Sequence, residues 1–160
     1  MPIRVAIHRL SSSGVHERIG HVTLHNHRLG LLLDPSIGAL PPGFHGFHIH
    51  EHGDIEPSLK NGKRVAGGAA GTHYDPDRTG AHCGPYEFGH RGDLPRLRVD
   101  RDGVARTPVI APRLTLSEVK GRALIIHSGG DNYSDHPVVN GGGKSRIAGG
   151  IITPGCPYCR

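Results

Sequence analysis

Apolar and polar residues alternate with a period of two along most of this chain, which predicts short β-strands rather than helices. Ile3, Val5 and Ile7 alternate with Arg4, Ala6 and His8, so one face of that segment is apolar and the other polar. Residues 17–25 repeat the pattern through Ile19, Val22 and Leu24, and residues 28–34 make a third strand ended by Asp34-Pro35. After Pro41-Pro42-Gly43, Phe47 and Ile49 alternate with His48 and His50, placing both imidazoles on one face of a strand. Residues 97–100 and 104–109 flank Arg101-Asp102-Gly103, and Asp-Gly between alternating runs predicts a hairpin. Residues 114–120 have room for one helical turn capped by Ser117. Residues 122–127 and 146–152 supply the last strands. About eight short strands and almost no helix predict an all-β fold, a two-sheet immunoglobulin-like sandwich or flattened barrel.

Two segments, residues 51–94 and 128–145, show no periodicity. Loops this long inside a compact domain are usually functional or disordered. The first is rich in Gly, Pro, His and Asp and cannot bury enough apolar surface to offset its ordering entropy. Metal ligation is the candidate for holding it.

Composition sharpens this picture. The chain has 160 residues, enough for one domain with a real core, with residues 153–160 read as a flexible Cys-containing tail. Gly at 25 and Pro at 13 favour turns over long helices. No apolar run reaches the roughly 18 residues that a membrane-spanning helix needs. Met1 to Ile7 lacks the apolar run and small-residue cleavage site of a signal peptide. The net charge of +5 is spread over scattered Lys and Arg without interleaved aromatics, which argues against nucleic acid and suits a small anion. The 14 His stand out, because His is the commonest metal ligand. Cys83, Cys156 and Cys159 are too few and too odd in number for a disulfide framework, and Cys156 and Cys159 lack the second pair of a zinc finger.

The histidines fall into two sets. His73, His82, His90 and Asp93 lie within one stretch of the first loop and offer the nitrogen and carboxylate donors of a four-coordinate zinc site. His48, His50 and His127, on or at the end of strands, form an imidazole set suited to copper. His73 is able to serve either metal, or both as a bridging imidazolate. His25 and His27 repeat the His-x-His spacing and read as surface residues.

These motifs resemble the copper/zinc superoxide dismutases, in particular their bacterial, periplasmic branch. The resemblance runs from about residue 3 to residue 152. It rests on Gly46-Phe47-His48-Ile49-His50-Glu51-His52-Gly53, Gly71-Thr72-His73-Tyr74-Asp75-Pro76, Gly89-His90-Arg91-Gly92-Asp93-Leu94-Pro95 and His127 with Gly129-Gly130-Asp131. It rests also on Ile110-Ala111-Pro112-Arg113-Leu114, and on Gly141-Gly142-Gly143 followed by Arg146. It implies a Greek-key β-barrel with two functional loops. It implies copper on His48, His50, His73 and His127, and zinc on His73, His82, His90 and Asp93. Asp131 then matches a carboxylate bonded to one ligand of each metal, and Arg146 an arginine that positions superoxide. The implied activity converts superoxide to O2 and hydrogen peroxide by alternate reduction and reoxidation of copper, with His73 carrying a proton and zinc ordering the loop. Lys63, Arg64 and Lys144 are candidates for steering the anion.

The chain departs from the family at one point. The resemblance implies a disulfide between the loop after the His-x-His strand and the last strand, yet those positions hold Ile55 and Gly149. Such a bond is worth roughly 2–4 kcal/mol. Its absence and the lack of a signal fit a cytoplasmic location, whereas the branch resembled is exported to the periplasm. A homodimer is a candidate assembly. The competing reading is a non-catalytic copper/zinc chaperone or storage module of the same fold. Arg146 favours the enzyme, since storage needs no anion-positioning group. A hydrolytic zinc enzyme fits poorly, because four protein ligands leave no open position.

Overall fold

A computed structural model describes residues 1–153. The elements are β1 (Ile3–Ser11), β2 (Gly14–His27), β3 (Gly30–Ile37), β4 (Gly43–His45), β5 (Phe47–His50), β6 (Ser58–Lys60), β7 (Lys63–Val65), β8 (Leu97–Val99), β9 (Val109–Ala111), α1 (Leu116–Val119), β10 (Ala123–His127) and β11 (Arg146–Ile151). One antiparallel sheet runs in the order β5-β10-β11-β1-β2-β3-β9, and β4 pairs with β8 and β6 with β7. Residues from both ends of that order meet in one core: Val22, Leu24, Leu31 and Leu33 pack in a cluster with Phe47, Ile49, Leu124 and Ile126. The sheet therefore curls on itself into a barrel. Register shifts in the β1–β2 pair after Ile7 and His8 add local twist to that curl.

Three sequence expectations change in detail. The Asp-Gly turn forms, with Gly103 N–H donating to Asp100 O and Asp100 N–H to Val104 O, but the pairing of its arms stops there. β8 joins β4 and β9 joins β3, long-range pairings that place Leu97, Val99 and Ala111 in the main core. The helical turn is capped by Thr115, not Ser117, in a reciprocal capping box with Glu118. The strands exceed the expected eight because β4 forms ahead of the His-x-His strand and the first loop carries its own hairpin. There Asn61 (φ 52°) and Gly62 (φ 76°) make the positive-φ turn between β6 and β7 that Asn-Gly favours.

β10 is buried along its whole length. Leu124 and Ile126 face the main core, while Ala123 and Ile125 face a second cluster with Leu10, Ile55 and Ala70. Residues 55–70 thus cover the outer face of β10. At the two positions where the family resemblance implies a disulfide, the chain has an apolar plug instead. Ile55 is 7 % exposed. A side chain on Gly149 would come within 2.8 Å of Ile125 Cδ1 and 2.9 Å of Leu124 O. Ile55→Ala should therefore cost about 2–5 kcal/mol, as buried aliphatic truncations do. Denaturant unfolding reads this directly, and a loss under about 1 kcal/mol would mean the plug does not tether the loop.

Candidate metal centre

β5 is an edge strand of the sheet, and the first loop returns to cover that edge. Ile49 N–H donates to Gly92 O (2.8 Å), Tyr74 N–H to Ile49 O (2.8 Å) and Gly92 N–H to Tyr74 O (2.9 Å). His48 pairs with Asp93 and His50 with His73 across this contact. A Cβ on Gly92 would lie 2.3 Å from Ile49 O, so only glycine allows the approach. The result delivers His73 and Asp93 to the face of β5 that carries His48 and His50. His127 arrives from the end of the adjacent β10.

His48, His50, His73 and His127 bring one donor nitrogen each within 4.8 Å of one another. Their other nitrogens fix the tautomers. His48 Nε2 donates to Asp131 Oδ2 (2.8 Å), His50 Nδ1 to Gly71 O (2.9 Å) and His127 Nδ1 to Lys144 O (3.3 Å). His48 Nδ1, His50 Nε2 and His127 Nε2 are left as lone-pair donors facing inward. His50 Nε2 and His127 Nε2 are 3.3 Å apart, an arrangement of lone pairs that a cation between them makes favourable. His48 Nδ1 is buried without a hydrogen-bond partner. Burial, then neighbouring imidazoles, hold the His50 and His127 pKa values well below the ordinary imidazole range, and the Arg146 charge adds to this. Burial and His48 lower that of His73 to about 3, against the pull of Asp93. All three are neutral at pH 7, the form a metal requires.

The second set surrounds Asp93. Its Oδ1 is 2.7 Å from His73 Nδ1, and its Oδ2 is 2.7 Å from His82 Nδ1 and 3.2 Å from His90 Nδ1. Yet His82 Nδ1, His90 Nδ1 and Asp93 Oδ2 are buried without a properly directed hydrogen bond. Close atoms that do not point at one another are aimed at a shared point, as ligands around an ion are. His48, His73, His82 and Asp93 form the converging group here. His90 stands just outside it, with its ring 5.1 Å from that of His73. Burial would raise the Asp93 pKa, but the hydrogen bond from His73 and the closeness of the His82 and His90 rings outweigh it and hold the carboxylate well below its usual range. Burial would lower that of His82, but its bond to Asp131 and the nearby Asp93 carboxylate raise it to about 9.

These shifts set the pH response of the metal-free protein. The stabilisation from His82 is full below pH 6.5 and is lost as pH rises toward about 9. His50, His73 and His127 stay neutral in the fold, so their stabilisation is full above pH 6.5 and is lost as pH falls below it. Each contributes up to about 1.4 kcal/mol per pH unit. Metal-free protein should be most stable near pH 6.5, and denaturation curves that are flat between pH 4.5 and 6.5 would contradict this.

Asp131 spans both sets: its Oδ2 accepts from His48 and its Oδ1 from His82 Nε2 (2.7 Å). Arg146 donates to Gly67 O (2.8 Å) and Gly71 O (2.7 Å), and so shares the Gly71 carbonyl with His50. Arg64 bonds Ser12 O, whereas Lys144 is exposed. Sequence reasoning missed His45, a buried residue whose ring nitrogens each lie 2.7 Å from a carbonyl oxygen, of His127 and of Pro41. Its signal was its parity with Phe47 and Ile49, which places an imidazole on the core side. Among the described residues, His25 and His27 join no converging group, and Cys83 is free. Cys156 and Cys159 lie outside the described residues, as does the tail beyond Thr153. No helix of the described residues is long and apolar enough to cross a membrane.

A family model described as copper/zinc superoxide dismutase (SODC) matches residues 18–152. The chain belongs to this family. It is 51% identical over 150 residues to "Superoxide dismutase [Cu-Zn] 2" of Salmonella typhimurium, covering 93% of this chain and 87% of that one. Among solved structures, the Cu/Zn superoxide dismutase from Brucella abortus superposes with a TM-score of 0.93 at 43% identity, covering 95% of this chain and 99% of that one. The monomeric copper, zinc superoxide dismutase from Salmonella enterica gives 0.86 at 49% identity, covering 96% and 100%. The barrel is thus the Greek-key barrel of the family. The chain is a superoxide dismutase, an oxidoreductase that uses copper and zinc and takes superoxide as substrate. The catalytic reading is favoured over the storage module.

Proposed function

We propose that His48 Nδ1, His50 Nε2, His127 Nε2 and His73 hold copper, and that His73, His82, His90 and Asp93 hold zinc. The observation that carries this is the convergence of unpartnered buried donors in two adjoining sets, with the His73 ring 4.1 Å from that of His48 and its Nδ1 on Asp93. When bound, copper supplies the one-electron exchange of the reaction, for which zinc has no redox chemistry. Two superoxide ions and two protons give one O2 and one hydrogen peroxide. With both metals bound, His73 would hold one of those protons at Nε2 between the two halves and give it up when the bridge re-forms. Arg146, fixed by two backbone carbonyls, keeps its charge beside His50 and His127 and positions the anion. Lys144 adds to the attracting field.

One domain, built on the single main core, carries this function. The relatives come from Gram-negative bacteria, whose copper/zinc superoxide dismutases are typically periplasmic, and this supports a periplasmic location. A homodimer is supported by the exposed apolar face of Leu29 and Tyr86, with Val109 and Ile110 on edge strand β9 beside them. The Salmonella enterica relative is described as monomeric.

The test is superoxide decay catalysed by protein carrying one copper and one zinc, at low and high salt. The rate should depend on copper and fall with salt. Arg146→Ala should lower kcat/KM by about 10-fold or more and flatten the salt dependence. An unchanged rate in that variant would remove Arg146 from the site.

A further inference from the structure

The turn at residues 134–141 lies against the back of the His82 imidazole, and its packing serves no purpose described so far. Ser134 O accepts from Gly141 N–H at 2.8 Å, and Asn132 N–H donates to Gly141 O at 3.3 Å. Asn140 and Gly141 both take positive φ, 55° and 71°, which turns the chain inward. A Cβ on Gly141 would lie 2.1 Å from Asp131 Oδ1 and 2.9 Å from His82 Nε2. The backbone of Gly141 therefore covers the Asp131–His82 hydrogen bond and keeps water from it. Asp135 pins this arrangement. Its Oδ1 accepts from Asn140 N–H and its Oδ2 from His82 N–H, both at 2.9 Å.

We propose that Asp135 is a positioning residue for zinc, holding the main chain of His82 against the turn that seals the Asp131–His82 bond. Asp131 orients the His82 ring from its Nε2, and Asp135 fixes the backbone from which that ring projects. With both constraints, His82 Nδ1 has one direction to face, toward Asp93. Without Asp135, the His82 and Asn140 N–H groups lose their acceptor, and the turn lifts from the ring. Outer carboxylates that orient ligands typically change metal affinity by about 10–100-fold. The copper-side donors have their own anchors on Gly71, Lys144 and Asp131, none of which is a hydrogen-bond partner of Asp135.

The inference rests on the zinc ligands proposed above, and its test separates the two. The release of zinc and of copper to chelators is measured in wild-type, Asp135→Ala, Asp135→Asn and Asp93→Ala proteins, each reconstituted with both metals. Cobalt spectra at the zinc position and melting of the metal-free forms are recorded alongside. Asp135→Ala should release zinc about 10–100-fold faster with copper release unchanged, and it should alter the tetrahedral cobalt band. Asp135→Asn, which keeps one accepting oxygen, should lie between it and wild type. Unchanged zinc release in Asp135→Ala overturns the proposal, provided Asp93→Ala has lost zinc. Equal acceleration for both metals together with a lowered metal-free melting point also overturns it, since that marks general loosening. Zinc retained by Asp93→Ala would instead overturn the ligand set itself.

Discussion

Stripped of both metals, the protein should melt about 16–32 °C below its loaded form. A ligand at about a thousand times its Kd stabilises the fold by roughly 4 kcal/mol, so two such metals contribute roughly 8 kcal/mol. A domain of this size shifts by about 2–4 °C per kcal/mol. The structural reason lies in the first loop. Its contact with β5 buries His73, His82 and Asp93, and His82 Nδ1, His90 Nδ1 and Asp93 Oδ2 have no hydrogen-bond partner of their own. Burying such groups costs free energy unless something bonds them. No disulfide takes over part of the load, because Ile55 and Gly149 stand where the family resemblance implies one. The Ile55 cluster anchors only the start of the loop. Calorimetry of loaded and metal-free protein decides the matter, and equal melting temperatures would show that packing alone orders the loop.

The barrel was legible because strands such as β1 and β3 bury one face each, and a half-buried strand writes its period into the sequence. Ile3, Val5 and Ile7 are the plainest case. The arms around Arg101-Asp102-Gly103 were misread as a hairpin because turn chemistry is local, while β8 and β9 pair with strands remote in sequence. The β6–β7 hairpin escaped notice for the opposite reason: Leu59 is exposed, so no apolar alternation surrounds Asn61-Gly62. The metal donors were legible as residue types and spacings. Their assembly was not, since it depends on backbone contacts such as Gly92 on Ile49 that leave no side-chain pattern. His45 and Asp135 belong to that same class. Each acts on main-chain atoms of a histidine remote in sequence.

Asp131 is where the two metal sets are joined, so its loss should affect both. Asp131→Ala removes the acceptor from His48 Nε2 and from His82 Nε2 together. Each imidazole then loses the bond that fixes its tautomer and orientation, and affinity for copper and for zinc should each fall by about 10–100-fold. Asp131→Asn makes a sharper case. Oδ1 also accepts from Tyr133 N–H at 2.8 Å, which holds the surviving amide oxygen on the His82 side. The amide NH2 then faces His48 Nε2, donor against donor. His48 escapes this conflict by moving its proton to Nδ1, the nitrogen proposed for copper, and a protonated nitrogen does not ligate. The asparagine variant should therefore lose copper more than zinc, whereas alanine loses both. Competition against chelators for each metal separates the two patterns. If both variants hold both metals within about threefold of wild type, the carboxylate bridge does not set ligand geometry, and the rigidity of β5 and β10 must suffice.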